Sequence, residues 1–204
     1  MTTRRVFVAG VATLLAHRAW AQQTGPQAPI AALNAALLKI MHAGHAMPFN
    51  QRVALLRPVV AEVFDLQLLL RNSVGTLRWP GIPEAQKAEL LSVFVDFTLA
   101  SFVANFDAFN GESFVISPDT RKVEADEIVQ TRMVPPTGDA TRLDYVMRNI
   151  DGSWRVVDIL LDGSISRVAV TRSDFRALIK PGDASELIAS LRSKVDNLTA
   201  GAAP

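Results

Sequence analysis

Apolar residues recur every three or four positions through the first half of the chain, which is the spacing of one face of an α-helix. The pattern breaks at the Gly- and Pro-containing stretch 44–48, at Gly75 and at Asn110-Gly111, where residues typical of helix ends stand. Pro83 is typical of a first helical turn. The pattern therefore predicts four helices, at residues 31–43, 50–64, 65–74 and 83–109.

The fourth of these helices has an unusually broad apolar side that is rich in phenylalanine. Its apolar residues include Leu90, Leu91, Phe94, Val95, Phe97, Phe102, Phe106 and Phe109. One packing partner does not cover a face this wide, so we expect the helix to contact more than one layer of the fold.

After Gly111 the period of the apolar pattern changes from 3.6 to two, which indicates strands. Leu143, Tyr145 and Met147 alternate with more polar residues and so share one face of a strand. Asp151-Gly152 is a strong signal for a hairpin between two antiparallel strands. We predict strands at residues 114–117, 122–134, 142–149 and 154–161.

Helical spacing returns near the C-terminus and predicts a helix capped by Ser164 and ended by Pro181-Gly182, then a last helix over residues 185–198. Helices, then hairpin-connected strands, then helices is the α+β arrangement. We expect a twisted antiparallel β-sheet with helices packed around it. The predicted organisation is a single domain of residues 30–198 between flexible segments at residues 22–29 and 199–204.

The first 21 residues have the organisation of a cleaved export signal. Arg4 and Arg5 precede the short apolar stretch 6–15, and Ala19-Trp20-Ala21 is a small-x-small cleavage site. Residues 3–7 also resemble a twin-arginine signal. The apolar stretch is too short to span a bilayer, and we expect no later stretch to reach that length. The mature protein is therefore predicted to begin near Gln22, to be soluble and to work in the periplasm.

Composition excludes several classes of protein. The chain is 49% hydrophobic and 20% charged, so it can bury a large core and is not an intrinsically disordered protein. The export signal holds three of the 21 basic residues, and the remaining 18 stand against 20 acidic ones, without the basic stripe that binds a nucleic acid. The absence of cysteine excludes disulfides, a thiolate nucleophile and a cysteine-type zinc site.

No residue pattern predicts catalysis, a bound metal or a cofactor. His42 and His45 are three apart near a helix end, but no third metal ligand stands close in sequence. Ser164 lacks the second glycine of a nucleophile elbow, and no histidine follows it. Apolar residues flank Asp158 and Asp162, and we expect such aspartates to pair with arginines or backbone donors. The enzymatic alternative uses one of these two as a general base in an apolar pocket.

The chain has more large apolar side chains than one sheet and one helix layer need, among them ten Phe, five Met and three Trp. Two interpretations are open: a solid core, or an apolar cavity between sheet and helices that holds a lipid or another hydrophobic ligand. Periodicity does not separate them. The candidate lipid-binding residues are Phe64, Phe94, Phe97, Phe102, Met133, Tyr145, Met147, Trp154, Val156 and Ile165.

Several motifs resemble the MlaC family, whose members are also called toluene-tolerance proteins. The resemblance runs over residues 30–196, and the order and spacing of its motifs make it specific. The motifs are Phe64-Asp65, Gly75, Trp79 and residues 106–111, 152–159, 162–166 and 172–175.

This resemblance implies a periplasmic carrier that ferries phospholipid between an outer-membrane lipoprotein complex and an inner-membrane ABC transporter, without catalysis. It also implies that the helices and sheet enclose an apolar cavity for the acyl chains, with the headgroup near solvent. Residues 134–136, 143–145 and 160–166 look closest to the branch called HpnM, which is associated with hopanoid biosynthesis, so a hopanoid-type lipid is an alternative ligand. Residues 79–81 and 101–104 depart from the main phospholipid branch.

A third class of function is an interaction module with a solid core. It would dock to membrane machinery through Arg167, Arg172, Arg176 and Lys180, although a solvated helix face explains these residues equally well. Lipid that co-purifies with the protein would favour the carrier, and turnover would favour the enzyme.

Overall fold

The computed structural model describes residues 25–201, and the predicted export signal lies outside the described residues. The helices are α1 (Gln27–Ala43), α2 (Phe49–Val63), α3 (Leu66–Val74), α4 (Glu84–Asn105), α5 (Arg167–Phe175) and α6 (Ser185–Gly201). The strands are β1 (Ser113–Val123), β2 (Asp126–Val134), β3 (Thr141–Ile150), β4 (Ser153–Leu161) and β5 (Ile165–Ser166). The α+β fold class is confirmed. Both α1 and α6 reach into the segments that the sequence analysis assigns to flexible ends.

The five strands form one open antiparallel sheet in the order β1, β2, β3, β4, β5. Each strand therefore pairs with its neighbour in sequence, as connection by hairpins requires. At the turn between β3 and β4, Asp151 and Gly152 both have positive φ, of 50° and 85°. Two residues of positive φ are the backbone of a type I′ turn, which the Asp-Gly pair favours, so the predicted hairpin is confirmed.

The first hairpin differs from the prediction of a short strand at 114–117 and a long one at 122–134. β1 extends to Val123, the chain turns at Glu124 with a φ of 54°, and β2 begins two residues later. The pairing of β1 with β2 shifts register between Ile116 and Thr120, a segment that contains Pro118. Because proline has no N–H to donate and a bulge breaks the alternation, a count of alternating residues does not show the length of β1.

Helix ends also differ from the prediction, and α5 already ends at Phe175 rather than at Pro181-Gly182. α5 begins after Ser166, whose hydroxyl accepts a hydrogen bond from the Ala169 amide at 3.0 Å, while Ser164 lies in the turn before β5. Both serines carry the same capping group, so the sequence alone does not choose between them. α4 ends at Asn105 rather than at 109, because Phe106 leaves the helical conformation with φ −124° and ψ 51°.

The junction between α2 and α3 is attached to the middle of β4. Phe64 forms an isolated parallel bridge with Val156, and the Asp65 amide donates to the Val156 carbonyl at 3.1 Å. The Asp65 carboxylate also accepts the Leu68 amide at 2.9 Å and so caps α3. This junction fixes the start of α3 against β4.

By length and composition α4 is able to cross a membrane, contrary to the expectation that no stretch after the export signal reaches that length. In the fold α4 contacts α2, α3 and α6, and it buries Leu90, Leu99 and Val103. Packing against neighbouring helices thus accounts for part of its apolar surface. Another apolar side faces the sheet across an open space.

Candidate functional site

A cavity of about 370 Å³ lies between α4 and the inner face of the sheet, with α3 and α5 completing its wall. This volume is within the range of about 300–1,000 Å³ that small-molecule sites usually have. The side chains on the wall are mostly apolar. The structure therefore favours the cavity over the solid core at this end of the fold.

α4 supplies one side of the cavity through a single stripe of residues. Phe94, Phe97 and Phe102 of α4, and Phe106 directly after its last residue, all face the cavity. Phe97, Phe102 and Phe106 are only half-buried, although they point into the fold, because the cavity leaves part of each ring uncovered. The Phe102 ring lies 5.7 Å from that of Phe64 and 6.3 Å from that of Phe106, so aromatic contacts hold the stripe in place.

The sheet supplies the opposite side through paired residues of β2, β3 and β4. Tyr145 pairs with Ile159, and Leu143 pairs with Leu161, so the four side chains lie side by side on one face. Met133 of β2 extends the same face towards the end of the sheet. All five residues line the cavity.

The depth of the cavity and its mouth differ in polarity. Phe64, Leu69, Phe94 and Tyr145 line it and are buried. The exposed members of the lining are polar: Asn105, Thr141 and Arg167. The cavity is therefore amphipathic, with an apolar interior and a polar mouth.

Asp158 lies on the wall of the cavity, but its carboxylate accepts hydrogen bonds from neighbouring parts of the chain. One oxygen accepts the amides of Ile159 and Val168, at 2.7 and 3.1 Å, and the other accepts the Ser166 hydroxyl. The contacts with Ser166 and Val168 tie β4 to the start of α5. The expected pairing with backbone donors is confirmed for Asp158, and these bonds give it a structural role. Asp162, the other candidate base, is exposed in a turn.

Two hydroxyl groups lie among the apolar residues in the depth of the cavity. Tyr145 is 3% exposed and Ser73 is 2% exposed, and both line the cavity. Within residues 25–201 neither hydroxyl makes a hydrogen bond. Burial raises the pKa of the Tyr145 phenol well above its ordinary value, because the phenolate would lose its hydration.

The structure brings together six of the ten candidate lipid-binding residues. Phe64, Phe94, Phe97, Phe102, Met133 and Tyr145 line the cavity. The other four lie elsewhere. Met147 and Val156 are fully buried and pair with each other in the closed part of the core, Trp154 packs half-buried against that core, and Ile165 is 50% exposed in β5. A role of these ten residues in binding lipid stays a prediction.

Sequence reasoning missed the polar part of the lining and the contribution of α3. Ser101 and Asn105 share the α4 stripe with Thr98 and the phenylalanines, so helical spacing alone would have placed them on the wall. Leu69 and Ser73 of α3 are four apart, as are Arg167 and Thr171 of α5, which is again the spacing of one helix face. Which helix faces the cavity is set by tertiary packing, which no local pattern shows.

The two histidines among the described residues, His42 and His45, lie away from the cavity. The His42 ring contacts that of Phe109 in a tilted arrangement with centroids 3.8 Å apart, and the His45 Nε2 atom is 3.7 Å from the Asp107 carboxylate. Between residues 25 and 201 no three His, Asp or Glu side chains are placed to hold a metal ion.

Comparison with known proteins gives one family and one fold. The sequence model of the family described as MlaC protein matches residues 32–193. A phospholipid-binding protein from Ralstonia solanacearum, solved in complex with a phospholipid, superposes with a TM-score of 0.72 and is 17% identical. The match covers 85% of this chain and 98% of that protein. Because the identity is low, the match shows that the two proteins share a fold. None of the curated proteins is similar enough to the sequence to match it.

Proposed function

The chain belongs to the MlaC family, and on that premise we propose that it binds phospholipid in the cavity between α4 and the sheet. The observation that carries this proposal is the polarity of the cavity, which is apolar in its depth and polar at its mouth. A phospholipid is divided in the same way into acyl chains and a charged headgroup. The phospholipid bound by the Ralstonia protein of the same fold supports the choice of ligand.

Burial of acyl chain is sufficient to hold such a ligand. Each methylene transferred from water to an apolar site contributes about 0.8 kcal/mol, so about ten methylenes contribute about 8 kcal/mol. That free energy corresponds to a Kd of about 1 μM, before the costs of ordering the lipid are subtracted. Half-buried rings of α4 and half-buried side chains of β3 and β4 are the surface that the chains would cover.

A hopanoid-type lipid is the second candidate ligand. Two of the segments that resemble the HpnM branch, residues 143–145 and 160–166, contribute Leu143, Tyr145 and Leu161 to the cavity wall. The resemblance to that branch therefore falls in part on the surface that contacts the ligand. The mass of the lipid that co-purifies with the protein distinguishes the two candidates.

We further propose that the protein is exported and carries its lipid through the periplasm between an outer-membrane lipoprotein complex and an inner-membrane ABC transporter. The organisation of residues 1–21 and the family support this proposal. N-terminal sequencing of the exported protein should find Gln22 at the start, and a chain that begins at Met1 would contradict export by cleavage. Crosslinking in cells should recover components of both membrane complexes.

The test of ligand binding is a substitution that fills the cavity. Leu143→Trp adds bulk to the half-buried inner face of β3, so it should exclude lipid and cost little stability. The expected result is at least about tenfold less co-purified lipid by native mass spectrometry, with a Tm within a few degrees of wild type. Val115→Trp is the matched control, because Val115 is 46% exposed on β1 and lies outside the cavity. Full lipid content in Leu143→Trp, or no lipid in the wild type, would contradict the proposal.

A further inference from the structure

We propose that Arg167, at the mouth of the cavity, binds the phosphate group of the lipid and makes the site select phosphate-bearing lipids over neutral ones. This inference rests on the proposed function and adds the chemical group that is recognised. Three observations carry it: the charge balance of the wall, the position of Arg167, and the different environments of the arginines of α5.

The first observation is the charge balance. Among the cavity-lining residues that the structure describes, Arg167 is the one cation and Asp158 the one anion. The Asp158 oxygens are occupied by the Ser166 hydroxyl and two backbone amides. None of the ion pairs formed within residues 25–201 includes Arg167. The cavity therefore presents one guanidinium that forms no ion pair among the described residues.

The second observation is the position of that guanidinium. Arg167 is an exposed member of the lining, together with Asn105 and Thr141, and the buried lining is largely apolar. Acyl chains inserted into the apolar depth place the glycerol and phosphate at this mouth. A guanidinium presents several N–H donors in a plane that fits two phosphate oxygens at once, and the Asn and Thr side chains offer further donors.

The third observation is the contrast with the two other arginines of the α5 region. Arg172 donates to the Asn72 carbonyl at 2.8 Å, so its Nε–H is used within the fold. Arg176 follows the end of α5, is exposed and lies outside the cavity wall. Arg176→Gln therefore changes the net charge by the same amount as Arg167→Gln and leaves the residues at the mouth of the cavity unchanged. This makes Arg176→Gln a matched control.

The experiment compares two lipids with identical acyl chains, phosphatidylglycerol and diacylglycerol, of which only the first has a phosphate. Affinities are measured by displacement of a fluorescent fatty acid from delipidated protein. We expect Arg167→Gln to bind phosphatidylglycerol about tenfold more weakly, which corresponds to about 1.4 kcal/mol, and diacylglycerol unchanged. Arg167→Lys should recover part of the loss, and Arg176→Gln should behave as wild type. Added salt should weaken phosphatidylglycerol binding more in wild type than in Arg167→Gln.

The outcomes separate this inference from the proposed function. A wild-type protein that binds neither lipid contradicts the cavity as a lipid site. A wild-type protein that binds both, with Arg167→Gln losing neither or losing both equally, overturns the role of Arg167. Displacement of the probe by inorganic phosphate alone would assign the guanidinium to free phosphate and would also overturn it.

Discussion

The inner face of β3 and β4 is hollow at one end and closed at the other. At the hollow end, Leu143 pairs with Leu161 and both line the cavity. At the closed end, Met147 pairs with Val156, and both have no exposed surface. The two ends carry side chains of similar size and polarity, so the difference does not come from the strands themselves.

The difference comes from what covers each end. The α2–α3 junction lies directly on the closed end, where Phe64 bridges Val156 and the Asp65 amide bonds to the Val156 carbonyl. At the hollow end the facing surface is the phenylalanine stripe of α4, across the cavity. Protein interiors are normally packed as densely as organic crystals. A space of about 370 Å³ is therefore not expected in an ordinary core.

The largest expected effect comes from adding the same side chain at each end. Met147→Trp inserts bulk into a closed core and should lower the free energy of unfolding by about 1 to 3 kcal/mol or more. Leu143→Trp, four residues away on the same strand, should lower it much less, because its ring enters the cavity. Thermal and denaturant unfolding of the two variants, both freed of lipid, provide the measurement. Equal destabilisation of both variants would mean that the two ends are equally packed.

An intermediate effect is expected from the carboxylate that holds α5 at the hollow end. Asp158→Ala removes the acceptor of three hydrogen bonds, one of them from the Val168 amide in the first turn of α5, and loss of such a capping interaction costs about 0.5 to 2 kcal/mol. Asp96→Ala is the control, because it removes a half-exposed ion pair with Arg57, worth at most about 1 kcal/mol. Lipid content should fall in Asp158→Ala and stay unchanged in Asp96→Ala. An equal loss of stability in both variants would show that the hydrogen bonds of Asp158 stabilise the fold no more than an exposed ion pair does.

The contrast between the two ends also explains how far the sequence could predict the site. Alternation along β3 placed Leu143, Tyr145 and Met147 on one face, and the pairing confirms this. Alternation says nothing about position along the strand, and Met147 lies just beyond the point where the cavity ends. Candidate residues chosen by face alone therefore include both cavity-lining and core residues.

The polar lining was missed for a different reason. The expectation of a lipid site selects apolar residues as candidates, whereas the polar residues Ser101, Asn105 and Arg167 also line the cavity. The fold itself was predictable because its signals are local: helix periods, helix ends and an Asp-Gly hairpin. The separation of α4 from the sheet is a property of several elements packed together, so no segment of sequence contains it.

The smallest expected effect concerns Tyr145, which lies at the boundary between the hollow and the closed end. It is the one tyrosine in the sequence, so the ultraviolet absorbance of tyrosinate reports this side chain alone. Burial raises its pKa, and in the native protein the absorbance should appear well above the ordinary midpoint of about pH 10. An ordinary midpoint in the native protein would mean that water reaches the phenol freely and that the depth of the cavity is not apolar.

The raised pKa has a consequence for stability with a definite sign. Below about pH 10 both folded and unfolded chains keep the phenol proton, so Tyr145 adds no dependence on pH. Above it the unfolded chain releases the proton while the folded one retains it, so the free energy of unfolding falls as the pH rises. Other groups that lose protons at high pH contribute equally to both proteins, so the difference between wild type and Tyr145→Phe isolates the phenol. Tyr145→Phe should lose less stability between pH 9 and pH 11 than wild type, by roughly 1 kcal/mol for each unit of pH above 10.

Since hydrocarbon chains leave the Tyr145 hydroxyl without a partner, the same variant should bind phospholipid at least as tightly as wild type. Clearly weaker binding would instead indicate a hydrogen bond from the phenol to the ligand, deep in the hollow end.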